Sequence, residues 1–275
     1  MQTLIEKRVF GEQFGTTEVC IATELGLVVV SVSADQVGEF SLSYKGAVSS
    51  VAVTAERVAI STPDGVYTAS TDGEEYGEFA NQFPSESVAV GFGSTGLFTA
   101  DSDGAVFRIN SDGSVTNLGD TAGVRSIDPP LIAAADSVYR ISGDELIEAG
   151  LSDVNDVSGI GTPFAATTDG LYTLGNGWME TLDGPFSLVA SDGHERAHAV
   201  GEDGLFVGVN DVWDAEPFPV DEPISAIAHG SGIVAAVTAI GRLCINAGDG
   251  WRHQLLGLKR PTSIAVAHGD EISVD

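Results

Sequence analysis

One pattern recurs along this chain: a short apolar strand, a tight turn, a second alternating strand, another turn and a third strand. "EVCIATELGLVVVSVSADQVGEF" from Glu18 sets it out, and "RVAISTPDGVYTASTDGEEYGEF" from Arg57 repeats it. It returns as "GLFTADSDGAVFRINSDGSVTNLG" from Gly96, "LIAAADSVYRISGDELIEAG" from Leu131 and "PFAATTDGLYTLGNGWMETL" from Pro163. Two further copies start at Ala197 and Gly232. Between copies lies one more apolar segment, among them "VSSVAVTA" from Val48, "FSLVAS" from Phe186, "ISAIAHG" from Ile224 and "TSIAVAHG" from Thr262. Four strands therefore repeat about seven times, with a period of roughly 30–40 residues.

Such a chain has few ways to fold. One four-stranded sheet cannot bury itself, so the repeats must stack face to face. The first strand of each unit is rich in Ser, Ala and Val, which lets innermost strands crowd around a channel. Val, Tyr, Phe and Thr suit the pleated surface of the strands that follow. Asp-Gly between alternating strands marks hairpins, because Gly tolerates positive φ and Asp caps the turn. No helical period persists beyond a turn or two; "LIEAGLSDVNDV" comes nearest, and Gly150 and the repeat register oppose it.

The pattern predicts an all-β chain, a single β-propeller of about seven four-stranded blades spanning residues 1–275. Blade units fall near 47–85, 86–122, 123–152, 153–185, 186–223 and 224–261, with a closing blade from 1–46 plus 262–275. The N-terminal unit lacks an inner strand, and "TSIAVAHG" supplies it, so the ring closes by pairing N- and C-terminal segments. Thr3 to Phe10 and the terminal "EISVD" compete for a surplus place in that blade.

Composition speaks to habitat. The chain carries 40 Asp and Glu against 12 Lys and Arg, a net charge of −28. The acids are spread through every turn rather than gathered in a tail. At molar salt the Debye length shrinks to about 3 Å and self-repulsion is screened. These features predict a salt-accumulating halophile, a haloarchaeon. Clustered Lys and Arg, which nucleic-acid binding by charge requires, are absent. No apolar run is long enough to span a bilayer, and Glu6, Lys7 and Arg8 stand where a signal peptide is apolar. The expected location is the cytoplasm. Cys20 and Cys244 lie within apolar strands, without metal-ligand spacing, and read as buried free thiols.

"VYTASTDGEEYGEF" from Val66 is similar to the Asp-box hairpin of sialidase-type and assembly-factor propellers, and "LCINAGDGWRHQL" from Leu243 is a weaker match. Over its length the chain resembles an uncharacterised haloarchaeal β-propeller family. That resemblance implies fold and organism, and no activity. The architecture is WD40-like, but "VWDAEPF" holds one isolated Trp-Asp and the WD repeat signature is missing.

Catalytic constellations are incomplete. Sialidase chemistry needs arginines converging on a carboxylate, and Arg125 is an exception among arginines in standing near the start of an inner strand. No serine nucleophile elbow or phosphate loop occurs. "DSDG" at Asp101 opens like a calcium loop but lacks the later oxygens and distal Glu. The sharpest site expectation comes from the ends of the inner strands, where Asp192, His229 and His268 align on three consecutive blades beside His194. A His-His-carboxylate set at a channel mouth can hold a divalent metal with an open position. The leading functional expectation remains a non-catalytic scaffold that binds another protein through its loops or channel mouth. The metal site at Asp192, His229 and His268, as a metal-binding protein or enzyme, is the alternative. Phe218 and the Lys259–Arg260 pair, in Pro-rich links, are candidate contacts.

Overall fold

Each inner segment picked out by the repeat is a strand, and all but the last are bonded to the hairpin that follows them. The computed structural model describes residues 16–71, 76–230 and 232–267. These residues form seven four-stranded antiparallel sheets and contain no helix. The chain enters through β1 (Thr16–Thr23), β2 (Gly26–Ser33) and β3 (Gln36–Lys45). Six complete blades follow, each running from the channel outwards. They are β4 (Ser50–Val53), β5 (Arg57–Thr62), β6 (Gly65–Ser70), β7 (Ala80–Phe83); then β8 (Ala89–Gly93), β9 (Gly96–Ala100), β10 (Ala105–Ile109), β11 (Val115–Asp120). Next are β12 (Val124–Asp128), β13 (Leu131–Ala134), β14 (Val138–Ser142), β15 (Glu145–Gly150); then β16 (Val154–Ser158), β17 (Phe164–Thr167), β18 (Gly170–Leu174), β19 (Trp178–Asp183). The last two are β20 (Phe186–Ser191), β21 (Arg196–Gly201), β22 (Gly204–Val209), β23 (Val212–Glu216), and β24 (Ile224–Gly230), β25 (Ile233–Thr238), β26 (Arg242–Asn246), β27 (Trp251–Leu255).

The final strand, β28 (Ser263–Val266), closes the ring. It pairs antiparallel with β1, from Val19↔Val266 to Ala22↔Ser263, giving the sheet order β28-β1-β2-β3. The expected exchange of an inner strand between the chain ends is the observed one. The surplus segments Thr3 to Phe10 and "EISVD" lie outside the described residues. The "LIEAG" stretch is the outer strand β15, not a helix.

Burial follows distance from the channel. The second strands are the driest: β13 and β25 are buried throughout, while the outer strand β27 is mostly exposed. Ile21, Ile60 and Ile132 are fully buried, each stabilising the fold by about 1.5–3 kcal/mol. The apolar clusters lie between blades; β1, β2, β25 and β26 share one that includes Val19, Val30, Val237 and Ile245. Three hairpins between second and third strands, at Thr23–Gly26, Thr62–Gly65 and Thr167–Gly170, use a Thr-x-x-Gly turn. Thr62 Oγ1 donates to the Gly65 carbonyl, and a Cβ on Gly65 (φ 141°) would collide with the Phe83 carbonyl oxygen. That position therefore requires glycine.

Around the channel, side chains of one inner strand accept hydrogen bonds from backbone N–H groups of the next. Ser263 Oγ accepts from Val51 N (3.2 Å), Ser50 Oγ from Val90 N (3.4 Å), Ser126 Oγ from Val157 N (3.3 Å) and Asp156 Oδ2 from Val189 N (3.0 Å). Asp128 Oδ2 adds a further link, accepting from Gly159 N at 2.7 Å. The free edge of each inner strand faces the channel, and these clasps satisfy donors that no ladder reaches. At the corresponding position β8, β20 and β24 carry Ala89, Leu188 and Ala226, which cannot accept.

The outer strands are tied back by tryptophans. Trp178 Nε1 donates to the Ala149 carbonyl of the preceding blade at 2.8 Å. Trp213 meets Phe164 edge-on with ring centroids 5.7 Å apart, and Trp251 meets Phe218 edge-on at 5.1 Å. Phe218 is thus half-buried, with one face of its ring packed against Trp251. Lys259 and Arg260 are exposed, Arg260 making a long 3.8 Å pair with Glu24.

Candidate functional site

The seven inner strands surround a central cavity of about 360 Å³. Its wall is mainly Val, Ala, Ser and Ile, and among the described residues four ionisable side chains interrupt it: Arg125, Asp128, Asp156 and His229. Arg125 donates to the Val154 carbonyl (3.0 Å) and to Asn155 Oδ1 (2.9 Å) on the next blade. Asp156 accepts from Val157 N and Val189 N, both at 3.0 Å. Burial in the channel wall still pushes its carboxyl up to about 6, over the lowering effect of those bonds. Burial likewise raises Asp128, against the bonds from Gly159 and Ser158.

At the end of the channel where the first and second strands of each blade meet, His229 begins a relay into the protein. Its Nε2 lies 2.9 Å from His198 Nδ1. His198, wholly buried on β21, places Nε2 2.8 Å from Glu216 Oε2 at the end of β23. Glu216 Oε1 also accepts from Trp251 Nε1 (3.0 Å) and Asn246 Nδ2 (3.2 Å). Burial works to raise the Glu216 carboxyl, but the bond from His198, with Trp251 and Arg196, holds it below the ordinary carboxylate value.

An ionised Glu216 accepts the proton on His198 Nε2. In neutral His198 that leaves Nδ1 as a lone pair, so His229 donates through Nε2–H. Burial, with His198 beside it, pushes His229 down to about 3, so the ring is neutral over the ordinary pH range. The relay joins two blades through four strands, β21, β23, β24 and β26, and the first residue of β27.

His229 is where the inner-strand alignment put it, at the channel wall. A shared bulge, between Phe186 and Leu188 in β20 and between Ile224 and Ala226 in β24, fixes the true register. By that register the equivalent of His229 is Ser191, and Asp192 lies one residue further, in the turn. Asp192 Oδ1 accepts from His194 N (2.7 Å) and Arg196 N (3.1 Å), closing that turn. Burial acts to raise the Asp192 carboxyl, and those two bonds hold it below the ordinary carboxylate value. His268 lies outside the described residues. Among the described residues no three of His, Cys, Asp and Glu are grouped to hold a metal ion.

His198 and Glu216 were not singled out from the sequence. A signal for His198 existed: "AHAVG" sets a histidine at a second-strand position where the other copies carry Cys20, Ala59, Phe98, Leu131, Phe164 and Ala235. Glu216 had none, being one acid among many at a strand end. At "DSDG", Asp101 Oδ1 accepts from Asp103 N (3.0 Å) and Ala105 N (2.9 Å), a capped turn in place of a calcium loop.

Seven four-stranded blades around a channel, closed by an inner strand from the C-terminal side, define a seven-bladed β-propeller of WD40-like architecture. No helix of the described residues is long and apolar enough to cross a membrane. The chain belongs to the family described as "Beta-prop_HVO_0234:-like, beta propeller", whose model matches residues 3–267. No curated protein matches it. Among solved structures, the computationally designed Ika8 protein aligns with a TM-score of 0.58 at 15% identity, over 92% of this chain and 91% of that one. The WD40 β-propeller domain of Doa1 aligns with a TM-score of 0.60 at 12% identity, over 76% of this chain and 82% of that one. At such identities the likeness is one of fold.

Proposed function

We propose that this protein is a non-catalytic interaction scaffold that binds a protein partner through its inter-blade loops and channel mouth, in the cytoplasm of a salt-accumulating halophile. The observation that carries this reading is the state of the channel. Among the described residues, its four ionisable side chains, Arg125, Asp128, Asp156 and His229, are each hydrogen-bonded within the protein. These bonds run between neighbouring blades, which supports a structural role for the channel wall. The fold supports the same reading by analogy, a weaker warrant. The exposed Lys259–Arg260 pair in the last inter-blade link is a contact region under this proposal.

A divalent metal on Asp192, His229 and His268 is the competing reading, supported by the electrostatic proximity of the first two. Purification of the untagged protein from its native host in molar KCl separates them. A stoichiometric protein partner bears out the scaffold. A monomer carrying one equivalent of metal, lost on His229→Ala, overturns it.

A further inference from the structure

The antiparallel order of the blades puts the hairpins between second and third strands on the same face of the ring as the inter-blade links. At the tip of each hairpin one residue stands just before the turn glycine, or before Ser137 in one blade. In five blades it is an exposed aspartate: Asp64, Asp103, Asp136, Asp169 and Asp203. In the two neighbouring blades that share one apolar cluster it is Leu25 and Ile240, 57% and 49% exposed. The turn does not ask for the change. Thr23 Oγ1 accepts from Leu25 N at 3.2 Å, just as Thr62 Oγ1 accepts from Asp64 N at 3.2 Å and Thr167 Oγ1 from Asp169 N at 3.1 Å.

The link of residues 256–262 runs between these two tips. Leu256 N donates to the Gly241 carbonyl and Thr262 N to the Ala22 carbonyl, both at 3.0 Å. Between those anchors the link displays Lys259 and Arg260, and Arg260 holds a positive φ of 48°. On the other side of Leu25, whose carbonyl accepts from Gly46 N at 3.1 Å, Lys45 is exposed at the end of β3, opposite Gly26. Lys45 and Lys259 are the only lysines among the described residues, and both flank these tips. Glu24 keeps one carboxylate here, facing Arg260 at 3.8 Å. A single exposed leucine means little. Two aliphatic tips among three cations, on a chain of net charge −28, form a sector unlike the rest of that face.

Building on the scaffold reading, we infer that the sector of Leu25, Ile240, Lys45, Lys259 and Arg260 is where a protein partner docks, through a segment that presents aliphatic side chains among carboxylates. Charge complementarity sets the carboxylates and rejects a basic partner. In molar salt the Debye length is about 3 Å, so charge acts only at contact and the burial of Leu25 and Ile240 must supply the affinity. A nucleic acid would use the cations through its phosphates and leave both aliphatic side chains in water. The sector therefore favours a protein.

The methyl resonances of Leu25 and Ile240 read the site. They are followed in molar KCl during titration with a short synthetic peptide of Glu and Leu, with the same peptide carrying Ser for Leu, and with polyuridylate. The Glu–Leu peptide is expected to move both resonances saturably, and the Glu–Ser peptide to bind at least tenfold more weakly. Leu25→Asp with Ile240→Asp gives these tips the residue of the other five blades, so the turns are retained, and circular dichroism checks the fold. Fluorescence anisotropy of the labelled Glu–Leu peptide is expected to show at least tenfold weaker binding to that double variant, and to Lys259→Glu with Arg260→Glu. No saturable movement with the Glu–Leu peptide overturns the inference, as do equal binding by the Leu25→Asp, Ile240→Asp protein and tighter binding of polyuridylate. Movement that depends on protein concentration without any peptide reports a second copy on this face and also overturns it. Purification from the native host separates the two readings. A stoichiometric partner still retained by the Leu25→Asp, Ile240→Asp protein leaves the scaffold standing and overturns this face. No partner with either protein overturns the scaffold, while the peptide titration still decides the sector.

Discussion

Asp156 Oδ2 accepts a hydrogen bond from Val189 N across a blade boundary, 3.0 Å away, while its own carboxyl is held near 6 by burial. The residue that links these two blades thus does so at an electrostatic cost. Protonation relieves that cost without removing the acceptor.

The folded value of about 6 exceeds the ordinary 3.8, so Asp156 favours the folded state fully below pH 3.8 and loses that contribution as pH rises through 6. At pH 7 its ionisation opposes folding by up to about 3 kcal/mol. Asp156→Asn keeps an oxygen for Val189 and drops the charge. It is expected to be the more stable protein at pH 7 and to match the parent near pH 4. Urea denaturation at both values checks this; equal stability at pH 7 would contradict it.

His229 carries the opposite sign. Its folded value near 3 lies below the ordinary 6.5, so its contribution is complete above pH 6.5 and is lost as pH falls towards 3. Its ring proton resonances are expected to stay those of a neutral imidazole from pH 7 to pH 4.5. An inflection near 6.5 in that titration would refute the buried relay.

His198→Leu leaves the His229 N–H without an acceptor and takes a partner from Glu216, at an expected cost of about 2–4 kcal/mol. Because Glu216→Gln disturbs the same network, the double variant is expected to lose at least about 1 kcal/mol less than the sum of the two. Additive losses would mean the two groups act separately.

The inter-blade clasps are expected to be transferable. Ser50→Ala strips the acceptor from Val90 N and should cost about 1 kcal/mol. Ala226→Ser places an acceptor where β24 has none, opposite Ile264 N on β28, and should add about 0.5–1 kcal/mol. Denaturation midpoints read both, and a neutral or destabilising Ala226→Ser would show that the position alone is not enough.

The two thiols should be inert in the native state. Burial pushes both Cys20 and Cys244 up to about 12, and neither is bonded to the other. A thiol reagent at pH 8 is expected to label neither until the protein is unfolded. Labelling of the native protein would show that one of the strands opens.

The blades were legible in the sequence because each is local: four strands within about 40 residues, punctuated by turns with their own chemistry. Ring closure was legible because β1 to β3 lacked an inner strand and "TSIAVAHG" had no blade of its own. The site was only partly legible. His229 could be found by lining up inner strands, but the register slipped by one residue at Asp192, because the bulges that set it leave no mark in the sequence. The relay was hidden for a different reason. His198, Glu216 and Trp251 are 18 to 53 residues apart and meet only when two blades pack. The clasps lay half in view, as Ser50, Ser126, Asp156 and Ser263 each precede an aliphatic residue at one inner-strand position. Their meaning appears only when the next blade supplies the donor.

The pairing of β28 with β1 joins segments some 240 residues apart. During synthesis, β1, β2 and β3 leave the ribosome well before β28 and wait for their innermost neighbour while the intervening blades are made. At about 5–20 residues per second that is an interval of ten seconds or more, during which β1 offers an open edge. The inner edge of β1 is therefore the place where a chaperone would hold the nascent chain, and where a neighbouring copy could capture it.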